Sequence, residues 1–268
     1  MSFPARFILL LPLFFFSCLP LSRLVAQPPP SSPPSSSDVV RGDSLYDAFR
    51  NEEALALYKR AFSYDSSFAV RLRLSRTHFD YGLDLMAQSD EETAKVHFEE
   101  AILQAQSLVS TYPDSSQSHF MLAATMGNLA QFENGKEKVV IGRMVEKHSR
   151  KAISLDSTWA YPYVSLGIYF RELSRLSWLE KTLAKVFYGR IPNISEEDVL
   201  DLLLRAAEIK PDFPFLHYEI AMTYMMFDNQ TEALKHFDIL VGLQPETSQD
   251  VRNQQNAQKL MASMEGSG

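Results

Sequence analysis

The sequence predicts an all-α protein, an α-solenoid of about five helical hairpins with a C-terminal capping helix and an inserted helix in the fourth unit. Three observations carry that expectation. From residue 38 onward apolar residues recur at spacings of three and four, the period of a helix with one buried face, and no stretch alternates as a strand would. A four-point pattern returns along the chain: Ala54, Tyr58, Ala61 and Ser66 are matched by Ala94, Phe98, Ala101 and Gln106, and again by Ala233, Phe237, Leu240 and Pro245. Self-similarity of this kind marks stacked supersecondary units that share one continuous core. Finally, 46% of the 268 residues are hydrophobic, enough to fill such a core unaided.

The first forty residues stand apart from the repeats. Arg6 precedes an apolar run from Phe7 to Leu21, interrupted by Pro12 and Pro20, and Leu24-Val25-Ala26 follows. That is the pattern of a secretory signal peptide over residues 1 to 26, and it is too short and too broken by proline for a membrane span of about 20 apolar residues. Cys18, the only cysteine, offers a lipid anchor as the alternative. Export to a periplasmic or secreted location is expected in either case. Residues 27 to 37 are Pro- and Ser-rich, with nothing apolar to bury, and are expected to form a disordered linker. Residues 38 to 268 are expected to form the helical-repeat domain. The formal net charge of −7 grows more negative once Arg6 and Arg23 leave with the signal, so nucleic acid is not an expected partner.

Looser copies of the repeat are Val145, Ser149, Ala152 and Ser157, and Val199, Leu203, Ala206 and Pro211. The pattern resembles the tetratricopeptide repeat, in which a small residue of the first helix lies twelve residues before the first small residue of the second. That rule picks out Gly42, Gly82 and Ala221, where a missing or minimal side chain lets two helices approach closely. Gly127 and Gly167 take the same place in units three and four, whose second helices start late by six and by twenty residues. The surplus in unit three is placed around Gln131 to Val140, with Asn134-Gly135 as a turn. Glu246 to Met264 is polar, with apolar residues only at Val251, Ala257, Leu260 and Met261, as a capping helix needs.

The central third sharpens the likeness. Ser149-Arg150-Lys151-Ala152-Ile153, Trp159-Ala160-Tyr161-Pro162, Leu176-Ser177-Trp178-Leu179-Glu180-Lys181, Phe187-Tyr188-Gly189 and Ile191-Pro192 resemble the regulator of microtubule dynamics family, over roughly residues 40 to 263. A bacterial-type exported member is the expectation. The resemblance implies a general adaptor role, since animal members are linked to microtubules and organelle membranes.

Enzymatic chemistry finds no support in the sequence. The six histidines fall in no His-Glu-x-x-His or other metal-ligand spacing, there is no Gly-x-Ser-x-Gly elbow, Walker loop or dinucleotide fingerprint, and no cofactor or metal is expected. The histidines read as scattered surface or groove residues. Glu52-Glu53, Glu91-Glu92 and Glu196-Glu197 read as helix starts, where negative charge meets the positive end of the helix dipole. Ser89 with Glu92, and Ser195 with Asp198, have capping-box spacing.

What remains is a binding surface. Counting from the small-residue positions, the groove-facing sites are Phe79, Leu83 and Met86 in unit two, and Met121 and Ala124 in unit three. Tyr161, Val164 and Ile168 follow in unit four, and Phe215, Tyr218, Met222 and Met225 in unit five. The groove is therefore expected to be apolar and covered by the inserted helix. Arg171, Arg175, Trp178, Lys181 and Lys185 are expected to share one exposed basic face at helical spacing. The expected partner is a protein or peptide bound by a monomer, with a lipid or membrane surface as the alternative.

Overall fold

Each repeat of the apolar pattern becomes a pair of antiparallel helices, and the pairs stack side by side. The computed structural model describes residues 34–133, 135–176 and 193–265. Unit one pairs α1 (Pro34–Asp47) with α2 (Asn51–Phe62), and unit two pairs α3 (Phe68–Ala87) with α4 (Glu91–Thr111). Unit three pairs α5 (Ser116–Leu129) with α6 (Gly135–Leu155) through a short 3-10 turn at Ala130–Phe132. Unit four pairs α7 (Tyr161–Ser174) with α8 (Glu196–Ile209), unit five pairs α9 (Pro214–Met226) with α10 (Gln230–Gly242), and α11 (Ser248–Glu265) follows as the cap. The expected signal peptide and the expected inserted helix, with Trp178, Lys181 and Lys185, lie outside the described residues. α1 opens at Pro34, so the last residues of the expected linker belong to a helix; proline is well suited to a first helical turn, where its missing N–H is not needed.

The repeated large residue of each second helix is the knob that locks its hairpin. Tyr58, Phe98, Leu203 and Phe237 are fully buried. A Cβ placed on Gly42 would come within 2.6 Å of the Tyr58 ring, one on Gly82 within 2.8 Å of the Phe98 ring, and one on Gly167 within 2.7 Å of Leu203. Gly127 does not do this work: a Cβ there would meet nothing within 4 Å. The small residue of unit three is Ala123, one turn earlier and fully buried, and its outer-helix counterpart is Ser149, which has no ring to receive. With that register the insertion in unit three is ten residues, not six. Most of it is taken up at the start of α6, which opens at Gly135, well before Val145, whereas α4 opens at Glu91, just before Ala94.

The uninterrupted hairpins share one turn. Phe49, Ser89 and Asp228 each adopt a positive φ of 60°, 65° and 58°, two residues past the end of α1, α3 and α9. The next residue then donates its backbone N–H five residues back, Arg50 to Leu45, Asp90 to Leu85 and Asn229 to Tyr224, a Schellman-type closure. The side chains of Asp90 and Asn229 then cap α4 and α10 by accepting from the N–H groups of Thr93 and Glu232. Ser89 is thus the turn residue and not the cap that its spacing to Glu92 suggested. Ser195 and Asp198 do form a reciprocal capping box at the start of α8.

α11 does more than cap unit five. Its Arg252 Nη1 lies 2.9 Å from Asp84 Oδ1 on α3, Ser248 Oγ donates to the same oxygen, and Asn51 Nδ2 of α2 donates to Asp84 Oδ2 at 2.7 Å. The C-terminal element therefore returns to units one and two and braces the stack across its inner side. Nothing in the local pattern of either segment signals this, because the partners are 164 and 168 residues apart.

Candidate groove site

The inner helices α1, α3, α5, α7 and α9, with the first half of α6 and the chain leading into α11, wall a groove of about 1750 Å³. Ordinary small-molecule pockets hold roughly 300–1,000 Å³, so this space suits something larger. Phe79, Leu83, Met121, Ala124, Tyr161, Val164, Ile168 and Phe215 all line it, as do Arg171 and Arg175. One flank is a ladder of rings crossing three units. Phe120 meets Trp159 at 4.9 Å between centroids, Tyr161 meets Phe213 at 4.6 Å, and Phe213 meets Phe215 at 6.0 Å. Trp159, placed here, is a groove residue that helix-register counting missed because it lies in the turn before α7.

Four expected groove residues are elsewhere: Met86 packs against Leu85, Ala94 and Phe98 in the core of unit two, and the other three lie under the capping helix. Tyr218, Met222 and Met225 pack against Ala221, Phe237 and Ala257, with Leu260 and Met261 of α11 over them. The capping helix covers the inner face of unit five. Burial of large apolar side chains, about 1.5 to 3 kcal/mol each, explains why it does so.

The groove is also more charged than expected. Arg73 of α3 pairs with Asp43 at 2.7 Å, and Asp43 accepts from the Tyr58 hydroxyl at 2.6 Å. Arg76, one turn on, also lines the groove and lies 4.1 Å over the Tyr46 ring, a cation–π geometry. Tyr46 is held in place by donating to Asp80 Oδ2 at 2.5 Å. Burial pushes the Asp80 carboxyl up to about 6, against the Tyr46 hydrogen bond and the Arg76 charge, which lower it, while Asp84 and Asp250 raise it further. Burial likewise holds the Tyr161 phenol above its usual range, with Glu246 adding to the shift. Asp250 closes this corner: its Oδ2 accepts from the backbone N–H groups of Glu246 and Thr247, and its Oδ1 is buried without a hydrogen-bond partner.

The expected basic face does not form around Arg171. This side chain is only 14% exposed; its Nη2 lies 2.7 Å from Glu219 Oε2, and its Nη1 donates to Thr223 Oγ1 at 3.0 Å. Helical spacing places Arg171 on one side of α7, but that side meets α9 and not solvent. Arg175 is exposed at the end of α7 and pairs with Glu172 at 3.6 Å. Nor are the histidines scattered. His78 meets His97, His119 meets His148, and His217 meets His236, each Nδ1 to Nδ1, at 3.1, 2.8 and 3.0 Å. Among the described residues no group of three or more His, Cys, Asp or Glu is placed to hold a metal ion. No described helix is long and apolar enough to cross a membrane.

The family model for "Regulator of microtubule dynamics protein 1-3" matches residues 39–265, from the first helix to the end of the brace. The chain belongs to this family. Regulator of microtubule dynamics protein 1 of Mus musculus is 24% identical over 229 residues, covering 84% of this chain and 73% of that protein. Regulator of microtubule dynamics protein 2 of Homo sapiens is 28% identical over 157 residues, 58% of this chain and 38% of that protein. The chain thus spans well under two thirds of the length of several curated relatives, 38% for the Homo sapiens protein 2 and 51% for the Mus musculus one. Among solved structures, a thermophilic tetratricopeptide-repeat protein of Thermus thermophilus superposes with a TM-score of 0.61 at 16% identity, covering 83% of this chain and 98% of that one. At that identity the likeness concerns the fold alone. This regulator of microtubule dynamics family member is a tetratricopeptide-like helical-repeat protein.

Proposed function

We propose that the protein is a non-enzymatic adaptor of the cell envelope that holds a protein or peptide partner in its groove. The observation that carries this reading is the groove itself, a space of about 1750 Å³ that joins a ladder of rings to several guanidinium groups, among them Arg76, which lies over the Tyr46 ring. Rigid rings and a fixed arginine are the side chains that dominate protein interfaces. Helical-repeat stacks commonly use such concave surfaces for binding. The names of the relatives attach them to microtubule dynamics; for this chain the adaptor role is proposed without microtubules, on the reading of the Arg6 to Ala26 pattern as an export signal.

A second reading has its own observation. Phe79, Leu83, Met121, Trp159, Ile168 and Phe215 give the groove wall a large apolar and aromatic share, which an acyl chain would also fill. Affinity capture of the mature protein from its own envelope, with proteins and lipids both identified, separates the two. The adaptor reading expects a defined protein that a Phe79→Asp variant fails to retain. Stoichiometric lipid with no protein would overturn it in favour of the carrier, and capture indifferent to Phe79→Asp would remove both.

A further inference from the structure

The histidine pairs recur at fixed repeat positions. The inner-helix ring stands four residues before the small residue, as His78 to Gly82, His119 to Ala123 and His217 to Ala221. The outer-helix ring stands one residue before the packed position, as His97 to Phe98, His148 to Ser149 and His236 to Phe237. Each pair therefore links the two helices of one hairpin, in units two, three and five. His119 Nε2 lies 2.8 Å from the Pro113 carbonyl oxygen, and His217 Nε2 lies 2.8 Å from that of Pro211. A carbonyl only accepts, so both rings carry their proton on Nε2 and present a bare Nδ1. His148 and His236 must then donate from their own Nδ1. The separations of 2.8 to 3.1 Å are those of a hydrogen bond. Two Nδ1 atoms on a shared tetrahedral metal, at about 2.0–2.1 Å each, would stand roughly 3.3 Å apart.

We propose that the three pairs make units two, three and five acid-sensitive hairpins, each clamped by one Nδ1 proton shared between its inner and outer helix and released when a second proton enters the contact. The first extra proton goes to the outer ring's remaining Nε2 and places an imidazolium in a largely buried pair. The next has no site but the shared one, and two Nδ1–H donors then face each other with like charge. Burial already resists this, pushing His78 down to about 3 and His148 and His236 to about 4, and lowering His97 and His217 as well.

The surroundings divide between the signs. Around the unit-two pair, Lys59 of α2 opposes protonation, while Glu52 of α2 and Glu100 of α4 favour it, and the Tyr81 ring packs edge-on against His97 at 4.6 Å. In unit three Lys147 opposes it. In unit five Lys235 opposes and Glu232 favours it, and the Tyr224 ring stacks on His236 at 5.8 Å. Because the folded-state pKa values lie below the unfolded value of about 6.5, this stabilisation is complete above that pH and is lost as pH falls toward 4. The inner helices carry Phe79, Met121 and Phe215 into the groove, so loosening these hairpins reshapes it and frees its occupant in acid. Units one and four have Asp38 with Leu57 and Tyr163 with Leu202 at these positions and serve as internal controls.

Amide hydrogen exchange of the full chain at pH 7 and pH 5, corrected for intrinsic rates, tests this. Protection in α3 to α6 and in α9 and α10 falls at least tenfold more than in α7 and α8. Equal falls in all units would overturn the proposal. In a His217→Leu, His236→Phe variant, unit five keeps its protection at pH 5 while units two and three lose theirs; unit five loosening as in the wild type would overturn it. Should that variant fail to fold, imidazole nitrogen shifts of the wild type decide. One protonated and one bare Nδ1 per pair at pH 7 is expected, and rings titrating independently near 6.5 would contradict it.

Discussion

Replacing Asp84 with alanine removes the point at which the C-terminal brace meets the front of the stack. Asp84 is 14% exposed and accepts from Asn51, Ser248 and Arg252, the last as an ion pair with Arg252 33% exposed. A hydrogen bond to a charged group contributes about 1.5–3 kcal/mol, and a buried donor left unmade costs about 1–3 kcal/mol. Arg252 and Ser248 recover water when the brace lifts, so their share is at the low end. Asn51 is buried and its Nδ2 cannot recover as easily. The expected loss on local opening of α11 is about 2–3 kcal/mol, from Arg252 and Ser248, while the Asn51 share falls on the α2–α3 contact; α9 and α10 keep their own core. Hydrogen exchange of α11 in Asp84→Ala should accelerate by about two orders of magnitude, with α4 and α8 almost unchanged. Unaltered exchange in α11, or equal acceleration everywhere, would refute the brace.

Phe98→Ala empties the socket beside Gly82 and should cost about 3–5 kcal/mol in urea denaturation, whereas Val96→Ala on the exposed side of α4 stays within about 0.5 kcal/mol. Arg171→Ala leaves Glu219 without its partner in the α7–α9 contact and should cost about 3–5 kcal/mol, where an exposed basic face would have predicted almost nothing. The Asp80 carboxyl, raised to about 6 in the folded state, favours the protonated form, so its ionisation destabilises progressively as pH rises from about 4 to 6. Measured as the difference in unfolding free energy between Asp80→Asn and wild type, the variant should gain relative stability across that window and hold it above; a flat difference would contradict the buried position of Asp80.

The hairpins were legible because their packing is local and repeated. Gly42 and Tyr58, or Gly82 and Phe98, lie at one fixed offset, and a glycine under a ring has a steric reason that sequence displays. Unit three misled for the same reason in reverse: Ala123 and Gly127 are both small and one turn apart, and Ser149 carries no ring to reveal which of them faces it. The histidines carried a signal in their shared offsets, four before the small residue and one before the knob, visible only when the six are compared with each other and not with metal motifs. Arg171 illustrates a limit of periodicity, which assigns a side of a helix but not the neighbour on that side. The brace was out of reach altogether, since the chemistry of Asp84, Ser248 and Arg252 is that of any surface until folding brings them together. Likewise, Tyr218, Met222 and Met225 sit at groove register, and only the position of α11 shows that they are covered.

Site-specific photo-crosslinking in the native envelope tests the groove's role most directly. A benzophenone side chain is placed in turn at Phe79 and Trp159 inside the groove, and at Val96 on the outer surface. The account predicts that Phe79 and Trp159 capture the same protein partner, that Val96 does not, and that Arg76→Glu reduces the yield from both groove positions at least tenfold. Capture from Val96 with none from the groove would contradict it.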